Sequence, residues 1–402
     1  MKKIFVVGFA ALLLVAFTVP AMAKVDVGGI VFTDFYYQKQ DAQNHSGFTV
    51  PPAVPADSSW SQSVIEVPSI TRLKAKWTNE NGVGMFIEFG IGGGQGATGV
   101  SLRHAYGWWD VNPGFTLMVG HSTTPFSPLT PDQLLGTQSG GLHVIGIGYG
   151  EFYSGRFPQI RGTFNINKNA RIAIALVSPV VTASPFTDRN GNLPPTAAVP
   201  SPNFIGDNDS AMPRIDVGVP LYFGNVKIYP SFFYHSQSYD DGGVGQDNSI
   251  DAYGVSFGIT GGFGPVGIKA EVNYGENWGN TRRTGGVSPA DAMAGAQVVA
   301  GKVYDTECTS YFIDVSFKLG MATPHLIYGN LSTENSDAPL AANDWDFSTT
   351  MYGISIPIPV AKTFIIRPEF MIYDDGDSNK IGGVTRDYGK ETLLGVQFMI
   401  AF

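Results

Sequence analysis

Several groups of residues in this chain have the types that chemistry would need. Gly254-Val255-Ser256-Phe257-Gly258 matches the serine-hydrolase elbow, which requires a strand turning sharply into a helix to present its hydroxyl. Here the strand pattern continues straight through, so no such turn is expected. Gly94-Gln95-Gly96-Ala97-Thr98-Gly99 has the spacing of a dinucleotide-phosphate loop, yet no helical period follows and the chain has no βαβ rhythm. His45, His104, His121, His143, His235 and His325 lack metal-ligand spacing. Asp207 with Asp209, and Asp374-Asp375 with Asp377, offer carboxylates for Ca²⁺, but no EF-hand pattern completes and they read as solvated loop charges. The single cysteine, Cys308, cannot form an internal disulfide and reads as a strand residue. No catalytic, metal or cofactor site is therefore expected.

A row of bases carries more information. Arg72, Lys74 and Lys76 alternate with Leu73, Ala75 and Trp77, so in a strand the three charges share one face. Against lipid each would cost ~2–4 kcal/mol near the bilayer midplane, so that face must meet water. The same register points Arg103, Arg161, Arg171 and Arg214 to the wet side, with Glu66, Glu88 and Asp216 as the acids among them.

The elements that must hold these residues are strands. From Val25 onward, segments of about ten alternating residues recur, as at Leu394-Val396-Phe398-Ile400-Phe402, Tyr311-Ile313-Val315-Phe317, Ile215-Val217-Val219-Leu221 and Val266-Ile268-Ala270-Val272-Tyr274. Tight turns at Asn79–Gly82, Asn112–Gly114, Lys168–Ala170, Gly224-Asn225 and Gly262–Pro265 alternate with long polar stretches at 40–63, 180–211, 239–249, 279–307, 334–345 and 374–390. Trp77, Trp108, Trp109, Phe115, Phe223, Phe364 and Phe402 gather near strand ends, as interfacial girdles do. These features predict an all-β fold: a transmembrane antiparallel β-barrel of about sixteen strands over residues 24–402. Residues 1–23 read as a signal peptide, with Lys2-Lys3, an apolar core from Ile4 to Val19, and Ala21-Met22-Ala23 before the cut. The formal charge is −9, and losing Lys2 and Lys3 takes it to −11, which argues against nucleic acid as a partner.

The pattern resembles the Gram-negative trimeric porins over the whole mature length. The resemblance rests on the terminal Phe402, the strand number, and the stretch Leu102-Arg103-His104-Ala105-Tyr106, then Leu117-Met118-Val119-Gly120-His121, then Thr124-Pro125-Phe126. That stretch looks like the fourth and fifth porin strands leading into the third loop; His121 departs from the Gln or Arg usual there. The resemblance implies an outer-membrane location, a homotrimer, contacts with outer-membrane lipid and lipopolysaccharide, and Phe402 as an assembly signal. It also implies that residues 123–155 fold inward as the constriction loop. Pro125, Pro128 and Pro131 would stiffen its entry, Asp132–Leu135 would form a short helical turn, and Gly146–Gly150 would pack closely on the wall.

Together these readings imply a water-filled pore for passive diffusion of small hydrophilic solutes and ions. Asp132 and Glu151 on the loop would face the basic wall of Arg72, Lys74, Lys76, Arg103, Arg161, Arg171 and Arg214, giving a weak anion preference. Two alternatives stay open: a channel selective for small organic anions, and, from a different class, a surface adhesin carried by the long loops.

Overall fold

The computed structural model describes residues 24–41, 59–94, 97–135, 144–152, 155–178, 210, 212–238, 249–281, 288–299, 302–335, 345–381 and 384–402. The signal-peptide reading of residues 1–23 lies outside the described residues, as do His45, His143, Asp207 and Asp209.

Among the described residues, sixteen antiparallel strands close into one barrel. The first eight are β1 (Lys24–Gln40), β2 (Trp60–Glu66 and Arg72–Thr78), β3 (Val83–Gly94), β4 (Ala97–Asn112), β5 (Phe115–Thr123), β6 (Arg156–Asn167), β7 (Ala170–Val177) and β8 (Arg214–Gly218 and Leu221–Phe223). The second eight are β9 (Val226–Ser238), β10 (Ser249–Phe263), β11 (Val266–Glu276), β12 (Glu307–Phe317), β13 (His325–Asn335), β14 (Trp345–Ser355 and Ile358–Ala361), β15 (Phe364–Asp374) and β16 (Lys390–Ala401). Each pairs with its sequence neighbours, and β1 closes the ring on β16 from Gln40↔Glu391 to Ile30↔Ala401. Closure leaves no unpaired edge, the condition for a sheet to stand in hydrocarbon.

Alternation sets the two faces. Val27, Ile65, Ile160, Phe257, Val272 and Leu394 are exposed on the outside, whereas Asp34, Gln38, Glu88, Gln159, Asp216, Glu271, Asp314 and Glu369 are buried on the inside. A soluble sandwich would show the reverse; an apolar outside with a polar inside is the pattern of a barrel in lipid. Trp109, Phe223, Phe263 and Phe402 form an outward aromatic band at the short-turn end. Trp108 is an exception to the expected girdle: opposite Met118 in the ladder, it points inward.

The expected turns are present, and three strands bend. In β2 the break at residues 67–71 is patched by Thr71, whose Oγ1 accepts from Phe32 N (3.0 Å) and donates to Phe32 O (3.3 Å). In β8, Val219-Pro220 interrupts what alternation suggested was continuous, because Pro220 has no N–H for the ladder. Gly94↔Ala97 closes the β3–β4 hairpin, so the phosphate-loop lookalike is a hairpin tip with residues 95–96 outside the described set. Ser256 lies mid-strand in β10, paired with Ser231 and Asn273, without the strand-to-helix turn of an elbow.

The C-terminal residue pairs with β1 at the short-turn end, where Gly29 N donates to Phe402 O and Phe402 N to Gly29 O, both at 3.1 Å. A Cβ on Gly29 would come within 2.8 Å of Arg72 O, a backbone atom on the neighbouring strand, so the clasp requires glycine there. Deleting Phe402 removes two backbone bonds of about 0.5–1.5 kcal/mol each. The expected outcome is a lower yield of heat-modifiable, folded barrel with single-channel conductance of the inserted fraction unchanged; an unchanged yield would contradict it.

Candidate functional site

The inside of the barrel has two unlike halves. The wall from β9 to β16 is covered from within. Phe126 and Phe152, from the connection between β5 and β6, pack with Trp278 and Met293 of the β11–β12 connection on Phe233, Cys308, Leu331 and Phe347 of the wall. Phe152 stacks on Trp278 at 4.5 Å with 5° between planes. Beside this cluster, Leu135 and Tyr149 pack on Tyr36, Ile327, Met351, Met371 and Leu393. The described parts of the connection, 124–135 and 144–152, therefore lie against the buried faces of the later strands and of β1 beside them.

Polar anchors fix its course. Three wall carboxylates accept hydrogen bonds from loop backbone amides. Glu271 on β11 accepts from Leu129 N (3.2 Å) and from Ser127 Oγ (2.5 Å). Asp314 on β12 accepts from Asp132 N (2.8 Å). Glu369 on β15 accepts from Leu134 N (3.1 Å) and Leu135 N (2.9 Å). Lys269 donates to Thr130 O (2.8 Å), and Gln397 to Leu134 O (3.3 Å). The expected helical turn at Asp132–Leu135 is absent; the segment is irregular, and its amides at Asp132, Leu134 and Leu135 donate to the wall. Gly150, with φ +134°, lies so close to Tyr311 O that a Cβ would sit 2.4 Å from it, as the close glycine packing expected there requires.

The two loop acids do not face the basic wall, which corrects the expectation. Asp132 Oδ1 accepts from Arg367 Nη1 at 2.8 Å, and Oδ2 lies 3.3 Å from His325 Nε2, both on the later wall. Burial opposes ionisation of Asp132, but the Arg367 guanidinium, its hydrogen bond and neighbouring His325 outweigh it and hold the carboxyl below the usual range. Glu151 is buried. Burial first, then the nearby Glu271 carboxylate, push Glu151 well above the ordinary glutamate range.

The other half of the interior, β2 to β7, is basic and less covered. Arg72, Lys74 and Lys76 share the inward face with Glu88 and Phe86, opposite which they pair as Lys74↔Glu88 and Lys76↔Phe86. A bulge in β4 turns both Arg103 and His104 inward. Glu88 serves two guanidinium groups, Arg103 at 2.8 Å and Arg72 at 3.6 Å, so this trio keeps a net positive charge. Lys74 and Lys76 are exposed on this face and form no ion pair among the described residues. Arg156, absent from the sequence reading, donates from Nε to His104 Nε2 at 3.3 Å. Arg161 reaches Met118 Sδ (2.9 Å) and Thr123 O (3.4 Å). Arg171 stands over Tyr222 at 5.7 Å, with Lys227 on that same ring at 6.0 Å.

Arg214 does point inward, yet it does not line open water. It is 1% exposed, bound in a two-pronged pair to Asp216 (2.7 and 2.8 Å) and enclosed by Phe157, Phe233 and Trp278. Loss of either member of such a pair costs ~3–5 kcal/mol, so it acts as a structural pin. The aromatics Phe86, Tyr106 and Trp108 also belong to the basic wall; with Lys76, Met118 and Arg161 they line a pocket of about 460 Å³. The 3-residue alternation of His104, Tyr106 and Trp108 was the available signal for this aromatic row. Among the described residues no group of three or more His, Cys, Asp or Glu is placed to hold a metal ion.

The architecture defines a class, the sixteen-stranded porin-type barrel. No protein-family profile matches the chain, and no curated protein sequence matches it. Among solved structures, the fold is similar to the outer membrane channel DcaP of Acinetobacter baumannii, at TM-score 0.68 and 16% identity, covering 96% of this chain and 99% of that one. It is also similar to an anion-selective porin from Comamonas acidovorans, at TM-score 0.58 and 14% identity over 94% and 100% of the two chains. OmpT, an outer membrane protein of Vibrio cholerae solved in a trimer form, gives TM-score 0.53 and 11% identity over 94% and 99%.

Glu151 generates a pH prediction. Because its pKa is raised in the folded protein, its contribution to seating the loop is fully present below the ordinary glutamate value of about 4.3 and is lost as pH rises through the raised value. Thermal stability in detergent should therefore fall from pH 5 to pH 9, and Glu151→Gln should flatten that slope. A variant with the wild-type slope would show that another group is responsible.

Proposed function

We propose that this chain is an outer-membrane porin that passes small hydrophilic solutes and ions by passive diffusion, with a weak anion preference. The observation that carries the reading is the basic inner wall of Arg72, Lys74, Lys76, Arg103 and Arg161, which Glu88 only partly neutralises. Residues 123–155 are the constriction loop: with the described parts, 124–135 and 144–152, seated on the later wall, the loop would narrow the lumen and leave the passage along the basic side. Fixed charges inside a low-dielectric passage act more strongly than those on exposed loops, which salt screens beyond ~8 Å. The sign at the narrow passage would therefore outweigh the −11 of the mature chain.

Membership of the outer membrane of a Gram-negative bacterium, with lipid and lipopolysaccharide around the barrel, is supported by the apolar exterior and the aromatic band. A homotrimer agrees with the closed symmetry usual for identical subunits and with the trimer form of the Vibrio cholerae neighbour. The expected native mass of the detergent-solubilised protein is three chains. A channel selective for small organic anions is the second reading, favoured by the aromatic pocket on the basic wall. The adhesin reading has less support, since the described loop residues pack on the barrel itself.

Reversal potentials across planar bilayers in a salt gradient test the function. Wild type should prefer anions, and Lys74→Ala with Arg103→Ala should shift the potential toward cation preference. A cation-selective wild type, or an unaltered double variant, would overturn the proposal.

A further inference from the structure

The pocket on the basic wall has a composition that bulk ion passage does not need. It lies near the short-turn end, since Trp108 and Thr116 flank the β4–β5 turn, Lys76 precedes the β2–β3 turn and Thr163 approaches the β6–β7 turn. Its volume, about 460 Å³, falls in the range of ~300–1,000 Å³ common for small-molecule sites. One side is aromatic: Phe86 and Tyr106 have ring centroids 5.6 Å apart, and Tyr106 and Trp108 6.1 Å. The other chemistry is cationic. Lys76 Nζ stands 5.4 Å from the Trp108 ring centroid, and Arg161 faces the same space. The Arg161 contacts are a thioether and a long carbonyl bond, and neither it nor Lys76 has a carboxylate partner among the described residues.

We propose that this pocket is a binding subsite for aromatic carboxylates. A chloride or acetate ion would use only Lys76 and Arg161, and a neutral ring would use only Phe86, Tyr106 and Trp108. An aryl carboxylate uses both: its ring meets the aromatic side by stacking or edge contact, and its charge meets two unpaired cations. The assignment rests on the reading of this wall as the anion route and names the substrate class that route favours. At the short-turn end, the subsite would hold such a solute last before release.

The test is calorimetric titration of the detergent-solubilised, folded protein with benzoate, acetate and benzyl alcohol. Benzoate should bind at least tenfold more tightly than either of the others. Trp108→Ala should weaken benzoate tenfold or more, and Trp108→Phe should restore most of that loss. Lys76→Gln with Arg161→Gln should remove the difference between benzoate and benzyl alcohol. Tyr106→Leu supplies a second aromatic variant should Trp108→Ala fail to fold. Equal affinity for benzoate and acetate, or wild-type benzoate binding by both aromatic variants, would overturn the subsite. In bilayers the two readings separate. Absence of stepwise ohmic conductance counts against the pore, whereas an anion-selective conductance that benzoate blocks no better than acetate counts against the subsite alone.

Discussion

The structure depends on how carboxylates buried on the inner wall are satisfied. Glu271, Asp314 and Glu369 stand on three separate strands, each almost wholly shielded from water. Unpaired, each would carry a desolvation cost of several kcal/mol. Loop backbone supplies the donors: Leu129, Asp132, Leu134 and Leu135 give their amides, and Ser127 its hydroxyl. The interaction is reciprocal: the loop amides find acceptors on the wall, and the wall acids, which have Asn273, His325, Ser355 and Arg367 beside them on the strands, gain the further donors that satisfy them. Apolar packing then fills the space behind it, with Phe126, Phe152, Leu135 and Tyr149 as the loop's contributions.

From this anchoring follows the asymmetry of the interior. Negative wall charge is consumed beneath the loop, where amide donors meet all three acids, with Arg367 beside Glu369 and His325 beside Asp314. Positive charge on β2 to β7 has no comparable cover, and Glu88 is shared between Arg72 and Arg103. An acidic chain can thus present a basic passage: the formal total counts charges regardless of place, while a permeating ion responds to those within a Debye length. The bulge that turns Arg103 and His104 to the same side adds one more base to that passage than strict alternation would allow.

Much of the fold was legible in the sequence because lipid imposes a period of two on every strand. The outward residues of β11, β12 and β16, the tight turns and the inward row Arg72-Lys74-Lys76 all followed from it. The site was legible only in part. Alternation tells which side chains leave the lipid, but not which of them a loop will cover. Arg214 was read as pore-lining for that reason, although Trp278 and Asp216 enclose it. Asp132 and Glu151 were placed toward the wrong wall, since their partners Arg367 and Glu271 lie more than a hundred residues away in sequence. Trp108 looked like a girdle residue because its neighbour Trp109 is one; adjacent residues on a strand point to opposite faces.

Amide hydrogen exchange on the native barrel reports most directly on the anchoring of residues 124–135. If wall carboxylates hold the segment, the amides of Leu129, Asp132, Leu134 and Leu135 will exchange orders of magnitude more slowly than free peptide, approaching the strands that carry their acceptors. Exchange of those four amides at free-peptide rates in a folded, conducting barrel would contradict the account.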